Sequence, residues 1–372
     1  MSLSRRKALQ LGYYTLGTLT ASIVATKLFS NTSTHAMTLQ GTPKLDGFYF
    51  PAEWEPHEYT IMQFVPRQNW AGYGLRAARR DWVQVANTVS EFEPVLMVVD
   101  PRDRQIAKRM LSSEIEIVEF PLNDGWARDS APLFLINSQG ELRVSGFTFN
   151  GWGAKFPPYK DDAQLRVRLC EYLEIPWYEV PLVLEGGAVS LDGEGTLITT
   201  EECLLNSNRN PDKSKGEVEQ ILRDYFNVSK VIWLGKGTTP DPITDGHVDG
   251  ICVFVAPGTV MLQTTDDTSD PNYKICQDAK ARLLSQSDAK GRKLEIIELP
   301  LATDVSHINF YIANDSVIVP IAEDPKQDDT PMSIIRNAFP QREVVGVSGA
   351  ILAEGGGGVH CITQQVPSFP ST

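Results

Sequence analysis

One cysteine near the end of the chain follows closely on four consecutive glycines. Residues 355–358 are all glycine, and Val359 and His360 separate them from Cys361. Glycine reaches backbone angles that side chains forbid and lets another group come close to the main chain. The Cys361 thiol is therefore presented from a tight, open backbone, and it is a candidate nucleophile. Residues 359–363 are predicted to form a short strand; the alternative is a flexible linker that ends at a cysteine.

A second block places a histidine two residues before an acid. The sequence from 245 to 249 is Asp-Gly-His-Val-Asp, and side chains at i and i+2 of an extended chain point to the same side. His247 and Asp249 are therefore predicted to share one face, where the imidazole can exchange protons near neutral pH. Two interpretations of Asp249 stay open: it orients the imidazole, as in a triad, or it binds a cationic substrate. A surface turn at Asp-Gly is the alternative without a function.

A third block combines acids, an arginine and a tryptophan in a turn before a predicted strand. It contains Asp124, Trp126, Arg128 and Asp129. Carboxylates bind a planar guanidinium with paired hydrogen bonds, and an acid beside a tryptophan suits a cation through charge and ring face together. The block is therefore a candidate cation-binding segment, in which Asp124 would suit an amine tail. The alternative is a structural ion pair between Arg128 and Asp129.

Two further polar residues are candidates for the same site. Glu185 stands at the end of a predicted strand, beside two glycines, where it can lie close to a ligand or to His247. Asn309 alternates with apolar Ile308 and Phe310 and is predicted to point from a strand into a pocket. A buried asparagine with only a structural role is the alternative for Asn309.

These residues must be positioned by a mixture of strands and helices. The predicted strands cover residues 59–65, 94–99, 115–120, 132–136, 142–149, 180–184, 196–200, 230–234, 251–256, 260–263, 294–299, 308–312, 316–320, 343–347 and 359–363. The predicted helices cover residues 75–92, 102–111, 162–173, 215–226, 273–285 and 331–338. Strand pairs before or after each helix indicate an α/β protein with a repeating unit of roughly 60–70 residues.

Composition limits the class of protein and of partner. The chain has 372 residues, of which 42% are hydrophobic, and a formal net charge of −13. A surface of this sign repels phosphate backbones and anionic lipid, so nucleic acid is not an expected partner, and it steers a cationic ligand inward; simple solubility is the other explanation. The five cysteines form no C-x-x-C pair and no H-E-x-x-H occurs, so the sequence predicts no zinc finger and no metalloprotease of that type.

The first 36 residues are predicted to be an export signal. Arg5, Arg6 and Lys7 precede a weakly apolar run at 11–29, and this segment contains no acid, a pattern similar to a twin-arginine signal. We expect cleavage after Ala36 and a location outside the cytoplasm. An uncleaved leader would be the one membrane contact, and a leader that does not function would leave the protein in the cytoplasm.

Together these blocks resemble the agmatine deiminases, within the guanidine-modifying superfamily of pentein fold. The resemblance runs from 51 to 365 and rests on motifs at 51–57, 126–129, 152–159, 184–187, 199–206, 244–249 and 360–365. It implies a pentein α/β propeller, with five ββαβ-like units in pseudo-fivefold symmetry, a central site, and neither a metal nor an organic cofactor. The implied layout is a leader at 1–36, a linker at 37–46, one catalytic domain at 47–366 and a tail at 367–372.

The same resemblance implies a role for each candidate residue. The nucleophile is Cys361, the acid/base is His247, the carboxylates that grip the guanidinium are Asp129 and Asp249, the supporting asparagine is Asn309, and the acid beside the histidine is Glu185. We expect Asp124 and Trp126 to bind substrate. Gly358 stands where the family often has asparagine; both residues tolerate positive φ, so we expect the turn to survive. His307 stands where we expect an aromatic such as tyrosine, and it is expected to alter the pocket wall or add a titrating group.

The implied reaction is hydrolysis of a guanidinium through an amidino-cysteine intermediate. Agmatine, a small cation, would give N-carbamoylputrescine and ammonia, a step of putrescine and polyamine synthesis. Deimination of peptidyl-arginine or of free arginine by an exported enzyme is the alternative within the superfamily. A cysteine-dependent acyl hydrolase and a non-enzymatic cation-binding protein are the alternatives of other classes. A homo-oligomer is compatible with the sequence.

Overall fold

Five separate β-sheets carry the fold, and each contains the same order of elements. A computed structural model describes residues 38–66 and 74–369. The predicted export signal at 1–36 lies outside the described residues. Within them, no helix is both long and apolar enough to cross a membrane.

The strands and helices follow the chain in this order. The strands are β1 (Thr38–Leu39), β2 (His57–Gln63), β3 (Val95–Val99), β4 (Glu116–Glu119), β5 (Leu133–Ile136), β6 (Leu142–Thr148), β7 (Trp177–Val183), β8 (Val189–Leu191), β9 (Thr196–Thr200), β10 (Lys230–Leu234), β11 (Cys252–Ala256), β12 (Thr259–Thr264), β13 (Glu295–Pro300), β14 (Tyr311–Ile312), β15 (Ser316–Ile321), β16 (Glu343–Ser348) and β17 (Thr363–Pro367). The helices are α1 (Leu75–Val89), α2 (Arg104–Met110), α3 (Ala127–Ser130), α4 (Gly151–Ala154), α5 (Lys160–Ala163), α6 (Leu165–Tyr172), α7 (Glu201–Leu204), α8 (Lys215–Tyr225), α9 (Asn272–Leu284), α10 (Pro325–Ala338) and α11 (Ala350–Glu354). Short 3-10 turns occupy Pro101–Asp103, Gly186–Ala188, Val248–Gly250 and His360–Ile362.

Helix α1 shows a buried apolar stripe, and helix α8 shows a side-chain cap at its start. The apolar face of α1 is buried in full and consists of Ala78, Trp82, Val85, Ala86 and Val89. Helix α8 begins at a capping box, in which the Ser214 side chain and the Glu217 side chain satisfy each other's backbone N–H groups. Local sequence therefore determines which side α1 buries and where α8 starts.

Each sheet is built on one ββαβ unit. A first strand pairs antiparallel with a second, a helical segment follows, and a third strand returns parallel to the second, as in β8–β9–β10, β11–β12–β13 and β14–β15–β16. A parallel pair needs a crossover connection, which the helices supply. Strands β5–β6–β7 repeat the pattern with β1 added at one edge, and β17–β2–β3 repeat it with β4 added. The first strand of this last unit therefore comes from the end of the chain.

The first strands of all five units line one narrow cavity. Leu133 of β5, Ser190 of β8, Phe254 of β11, Ile312 of β14 and Gln365 of β17 all face it. Five equivalent strands surround one cavity, and each is the first strand of a ββαβ unit. This arrangement confirms the α/β pentein fold with five units. Strand β1 lies within the predicted linker and pairs with Trp177 and Tyr178 of β7.

The strand predicted over residues 359–363 is wrong. His360–Ile362 forms a 3-10 turn, and β17 begins at Thr363. The reason is that the N–H groups of His360 and Cys361 donate to the carbonyl and the side-chain oxygen of Asn309, at 3.0 and 3.2 Å, and not to a neighbouring strand. The strand predicted over 308–312 is shortened to β14 for a related reason, because Asn309 closes a turn onto the Ser306 carbonyl.

A buried carboxylate ties the last unit to its neighbour. Glu93 is 4% exposed, and its oxygens accept hydrogen bonds from Tyr311 Oη at 2.9 Å, from the Asn314 N–H at 2.8 Å and from Thr60 Oγ1, while His57 Nδ1 lies at 3.2 Å. Burial works against the charged form of Glu93, but His57 and these donors hold the carboxyl pKa below its usual value. One ionised group therefore satisfies donors from β2, β14 and the loops beside them.

We predict that Glu93→Ala lowers the free energy of unfolding by more than about 3 kcal/mol, because several buried donors lose their ionised hydrogen-bond acceptor. Urea unfolding of the purified variant measures the change. Glu91→Ala is the matched control: Glu91 lies two residues away and is exposed, so we expect a change below about 0.5 kcal/mol. Equal unfolding midpoints for the two variants would contradict the role assigned to Glu93.

Candidate active site

The segments that lead into the five first strands converge on one place. Asp129 lies on α3 before β5, Gly187 lies in the 3-10 turn before β8, and Asp249 lies in the turn before β11. Asn309 precedes β14 and Cys361 precedes β17. Each unit thus contributes one residue from the same topological position, and the fold brings together groups that lie more than 200 residues apart in the sequence.

The Cys361 thiol is buried between an amide oxygen and a carboxylate. Sγ lies 3.3 Å from Asn309 Oδ1 and 3.6 Å from Asp249 Oδ2, as a donor to both. Burial and the negative charges of Asp249 and Asp129 hold the pKa of Cys361 well above its usual range. The free protein therefore carries a neutral thiol at neutral pH, and a bound cation is the factor that would favour the thiolate.

The glycine run packs tightly and does not act as a flexible linker. Helix α11 ends at Glu354 with Gly355 as its C-cap, and Gly356 has φ +96°, a left-handed angle. A Cβ added at Gly357 would lie 2.5 Å from the Trp126 ring, and one added at Gly358 would lie 2.5 Å from Asn309 Oδ1. The left-handed angle of this run falls on Gly356 and not on Gly358. Glycine at 358 is required by the close approach to Asn309, which holds the thiol.

His247 sits among acids, with its ring nitrogens free of hydrogen-bond partners in the described part of the chain. Nδ1 lies 3.9 Å from Asp129 Oδ1, and Nε2 lies 3.7 Å from Glu185 Oε2. Burial disfavours the imidazolium, but the Asp129 charge, Cys203 and Glu185 together raise the pKa of His247 well above its usual value. The imidazole is therefore protonated at neutral pH and can act as an acid.

The backbone predicted for 245–249 is wrong, although its side chains converge. Asp245 and Gly246 are left-handed, at φ 61° and 83°, and Val248–Gly250 forms a 3-10 turn where an extended chain was predicted. Asp249 does not orient His247, because its Oδ2 is bound by His360 Nδ1 at 2.8 Å. Of the two interpretations of Asp249, the structure favours the one in which its carboxylate faces a cation.

Two carboxylates and the imidazole surround a single glycine. A Cβ added at Gly187 would lie 2.6 Å from His247 Nδ1, 2.9 Å from Asp249 Oδ2 and 3.2 Å from Asp129 Oδ1. The Gly187 N–H donates to Asp129 Oδ1 at 3.0 Å, and Trp152 Nε1 donates to the other oxygen at 2.8 Å. Burial, with the nearby charges of Asp249 and Glu185, raises the pKa of Asp129 despite these donors and His247. Asp129 is thus an acid that lacks a full counter-charge.

The ion pair between Arg128 and Asp129, which was the structural alternative for this block, does not form. Arg128 donates to Gln365 Oε1 at 2.8 Å, to the His360 carbonyl at 3.3 Å and to Glu53 Oε2 at 3.3 Å. The Arg128 side chain therefore braces the segment that carries Cys361 and leaves Asp129 to other partners.

Sequence reasoning missed the pair that fixes Asp249. His360 bridges Asp249 Oδ2, through Nδ1 at 2.8 Å, and Glu53 Oε2, through Nε2 at 2.9 Å. Burial and Arg128 oppose a charged His360, yet Glu53 and Asp249 raise its pKa; His360 and Arg128 in turn lower the pKa of Glu53 to about 2 against burial. The available signal was the position of His360 beside Cys361 and of Glu53 in the 51–57 motif.

Glu185 is fully buried, and its negative charge is balanced by an arginine that the sequence analysis did not identify. Arg209 Nε donates to Glu185 Oε1 at 2.7 Å, and Arg209 Nη1 donates to Asp245 Oδ2 at 2.9 Å. Burial would raise the pKa of Glu185, but His247 and Arg209 lower it. The carboxylate is therefore ionised and supports the positive charge on His247.

Of the other predicted residues, Trp126 contacts the segment that leads to Cys361, whereas Asp124 and His307 have other contacts. Trp126 packs edge to face on Trp82, with ring centroids 5.3 Å apart, and contacts the glycine run. Asp124 Oδ1 accepts from the Gly125 N–H at 2.8 Å. His307, the departure from the expected aromatic, is buried and lies 2.7 Å from Asp328 Oδ1 through Nε2, so its ring is held toward α10.

Comparison with known proteins agrees with this geometry. The sequence profile of Porphyromonas-type peptidyl-arginine deiminases matches residues 49–367. The agmatine deiminase of Pseudomonas aeruginosa (strain LESB58) is 41% identical over 361 residues, which cover 88% of this chain and 97% of that protein. The solved structure of the agmatine deiminase of Enterococcus faecalis superposes with a TM-score of 0.85 at 37% identity, over 90% of this chain and all of that one.

A second solved structure, the agmatine deiminase of C. jejuni with substrate bound, superposes with a TM-score of 0.78 at 27% identity, over 88% of this chain and 98% of that one. Profile, relatives and structures span nearly all of the described residues. The chain belongs to the agmatine deiminase family, within the Porphyromonas-type peptidyl-arginine deiminases.

Proposed function

We propose that this protein hydrolyses agmatine to N-carbamoylputrescine and ammonia through a covalent amidino-cysteine. The observation that carries the proposal is the ring of groups around Gly187, where Asp129, Asp249 and His247 meet beside the Cys361 thiol. Two buried carboxylates suit a planar cation, and a thiol within that grip is placed to attack its carbon.

The first half of the reaction forms the intermediate. The bound guanidinium supplies positive charge beside Cys361, the thiol loses its proton, and the thiolate adds to the guanidinium carbon. Imidazolium at His247 gives its proton to the departing nitrogen, the carbon–nitrogen bond breaks, and ammonia leaves. An amidino-thioether cation then remains on Cys361, and His247 is neutral.

The second half returns the free enzyme. Neutral His247 takes a proton from water, and the hydroxide adds to the same carbon. The carbon–sulfur bond breaks, the Cys361 thiolate departs, and the oxygen loses its remaining proton to leave a ureido product. His247 is again protonated. Two protons have been released to solvent, one from the Cys361 thiol and one from the product oxygen: one converts ammonia into ammonium, and the other returns to the Cys361 thiolate.

The charges beside the site support an amine over an amino acid as substrate. Free arginine adds a carboxylate, which needs a cationic partner. Arg128 is engaged by Glu53 and Gln365, and Arg209 is engaged by Glu185 and Asp245. These two buried arginines therefore have their charge matched by acids of the protein. Export through residues 1–36, a role in putrescine synthesis and a homo-oligomeric state stay predictions.

The deciding experiment incubates the purified chain with agmatine, free arginine and an arginyl peptide and measures ureido product. We expect product from agmatine, a loss of turnover of more than ~10⁴-fold in Cys361→Ala, and near-normal turnover in Cys276→Ala, which removes another buried thiol. Product from the peptide alone would identify a peptidyl-arginine deiminase. Turnover by Cys361→Ala at the normal rate would rule out the covalent route.

We predict that Gly187→Ala lowers kcat/KM by at least ~100-fold, because its methyl group fills the space where the guanidinium must sit and displaces the groups that hold it. Gly216→Ala is the control, since a Cβ at that helical position meets no atom within 4 Å. Circular dichroism checks that both variants fold. A folded Gly187→Ala enzyme with normal kcat/KM would show that substrate binds elsewhere.

We predict that alkylation of Cys361 by iodoacetamide keeps rising above pH 9 in the free protein. The thiol pKa is raised, the thiolate is the reactive form, and the reaction therefore follows deprotonation upward in pH. Mass spectrometry of the Cys361 peptide measures the rate. Asp249→Asn removes a negative charge near Sγ, so its profile should shift to lower pH. A rate that levels off near pH 7 would indicate a thiolate formed before substrate binds.

A further inference from the structure

A second set of reactive side chains lies against His247. Glu185, Cys203 and His247 each offer one ligand atom, and these atoms lie within 4.8 Å of one another. All three residues are buried, at 0%, 0% and 4% exposure. The reaction proposed above uses no atom of Cys203, so the presence of a thiol here has no explanation in that chemistry.

Two of the three groups face each other as an ion pair that is too long for a hydrogen bond. Glu185 Oε2 and His247 Nε2 lie 3.7 Å apart, and neither has a hydrogen-bond partner. The other oxygen of Glu185 is taken by Arg209. A buried polar atom without a partner costs free energy, and a ligand between Oε2 and Nε2 would relieve both atoms at once.

The third group is held rigidly beside them. Cys203 lies on α7, whose first turn is capped by Thr200: the Cys203 N–H donates to Thr200 Oγ1 at 3.2 Å. The same hydroxyl donates to the Gly246 carbonyl at 2.6 Å. Since Gly246 directly precedes His247, one threonine fixes the thiol-bearing helix to the turn that carries the imidazole.

Imidazole nitrogen, thiolate sulfur and carboxylate oxygen are ligands of zinc, at about 2.0–2.3 Å. Tetrahedral geometry then separates a nitrogen ligand from an oxygen ligand by roughly 3.3–3.5 Å. The observed 3.7 Å between Glu185 Oε2 and His247 Nε2 therefore needs only a small approach of the two side chains. We infer that Glu185, Cys203 and His247 form a binding site for a thiophilic divalent cation of the Zn²⁺ class, with a fourth position open to water. On binding, the protons of the Cys203 thiol and of His247 Nε2 leave to solvent.

The charges around the site favour a dication. Asp129 lies 3.9 Å from the other ring nitrogen of His247, and Glu185 is itself negative. Arg209 opposes the metal from the far oxygen of Glu185, but the ligand thiolate and the two carboxylates outnumber it. An occupied site takes the imidazole out of proton transfer, so the metal acts as an inhibitor. The inhibition rests on the proposed function, whereas the metal site does not.

The test is a titration of Co²⁺, a spectroscopic substitute for Zn²⁺, into the full chain carrying Cys361→Ala. That background removes the candidate nucleophile as a competing thiol. We expect one equivalent to bind with a thiolate-to-cobalt charge-transfer band and the intense visible bands of four-coordinate cobalt. Cys203→Ser in the same background should lose the charge-transfer band and bind at least ~10-fold more weakly, and Cys276→Ser should change neither.

Cys203→Ala is a second variant in case serine disturbs folding, and circular dichroism checks both. In the protein with Cys361 intact, Zn²⁺ should inhibit turnover of agmatine reversibly with a chelator, and Cys203→Ser should raise the inhibitory concentration. A charge-transfer band that persists in the Cys203 variants would overturn the inference. The absence of any such band in the Cys361→Ala protein would also overturn it. A protein without deiminase activity would still give the cobalt result, so the two proposals fail separately.

Discussion

Four carboxylates meet in one place, three of them buried and the fourth, Glu53, half-buried, and the surrounding side chains are arranged around their charge. An ionised carboxylate away from water needs a counter-charge or several donors. Glu53 has His360 and Arg128, Asp249 has His360, and Glu185 has Arg209, and the pKa of each of these three acids is lowered. Asp129 is the exception, because neutral donors and the more distant His247 do not offset burial beside two other acids.

The excess negative charge of the site is therefore confined to one place. It lies between Asp129 and Asp249, which is also where two negative charges keep the Cys361 thiol protonated. A guanidinium would supply the balancing positive charge and, by the same field, stabilise the thiolate that attacks it. Binding and activation are thus one electrostatic event, and a neutral substrate would not trigger it.

The five-unit topology is what makes this concentration of charge possible. Each unit places the turn before its first strand at the centre, so five short segments can each contribute one group without a long loop. The nucleophile is the last of these groups in the sequence, and it lies on the turn before β17. Strand β17 pairs antiparallel with β2, with Thr363 opposite Met62. The site is complete only when the two ends of the described chain meet in one sheet.

Sequence alone predicted which side chains converge better than it predicted their backbone. Cys361, His247 and Asp249 stood out because of residue type and neighbouring glycines, yet both segments form 3-10 turns where extended chain was predicted. Alternation of side chains is a local signal, whereas these turns are closed by contacts with other units. The bridge from His360 to Glu53 joins residues 307 positions apart, and no local pattern reports such a pair.

The same limit applies to the donor that serves Asp129. Trp152 lies in α4, where four successive residues are left-handed, including Trp152 at φ 53° and Ala154 at φ 60°. A left-handed residue with a side chain costs roughly 1–2 kcal/mol, and nothing in the local sequence demands it.

That strain is offset through the turn that carries His247. Lys155 directly follows α4, and its Nζ donates to Asp245 Oδ1 at 2.5 Å and to the carbonyl of Ile243 at 3.0 Å. Arg209 donates to the other oxygen of Asp245, Oδ2. Asp245 therefore joins the loop that orients Asp129, the arginine that neutralises Glu185 and the histidine between those two acids. These three groups share Asp245. The same turn therefore fixes the position of the Asp129 carboxylate, which receives the cation, relative to the His247 imidazole, which donates the proton.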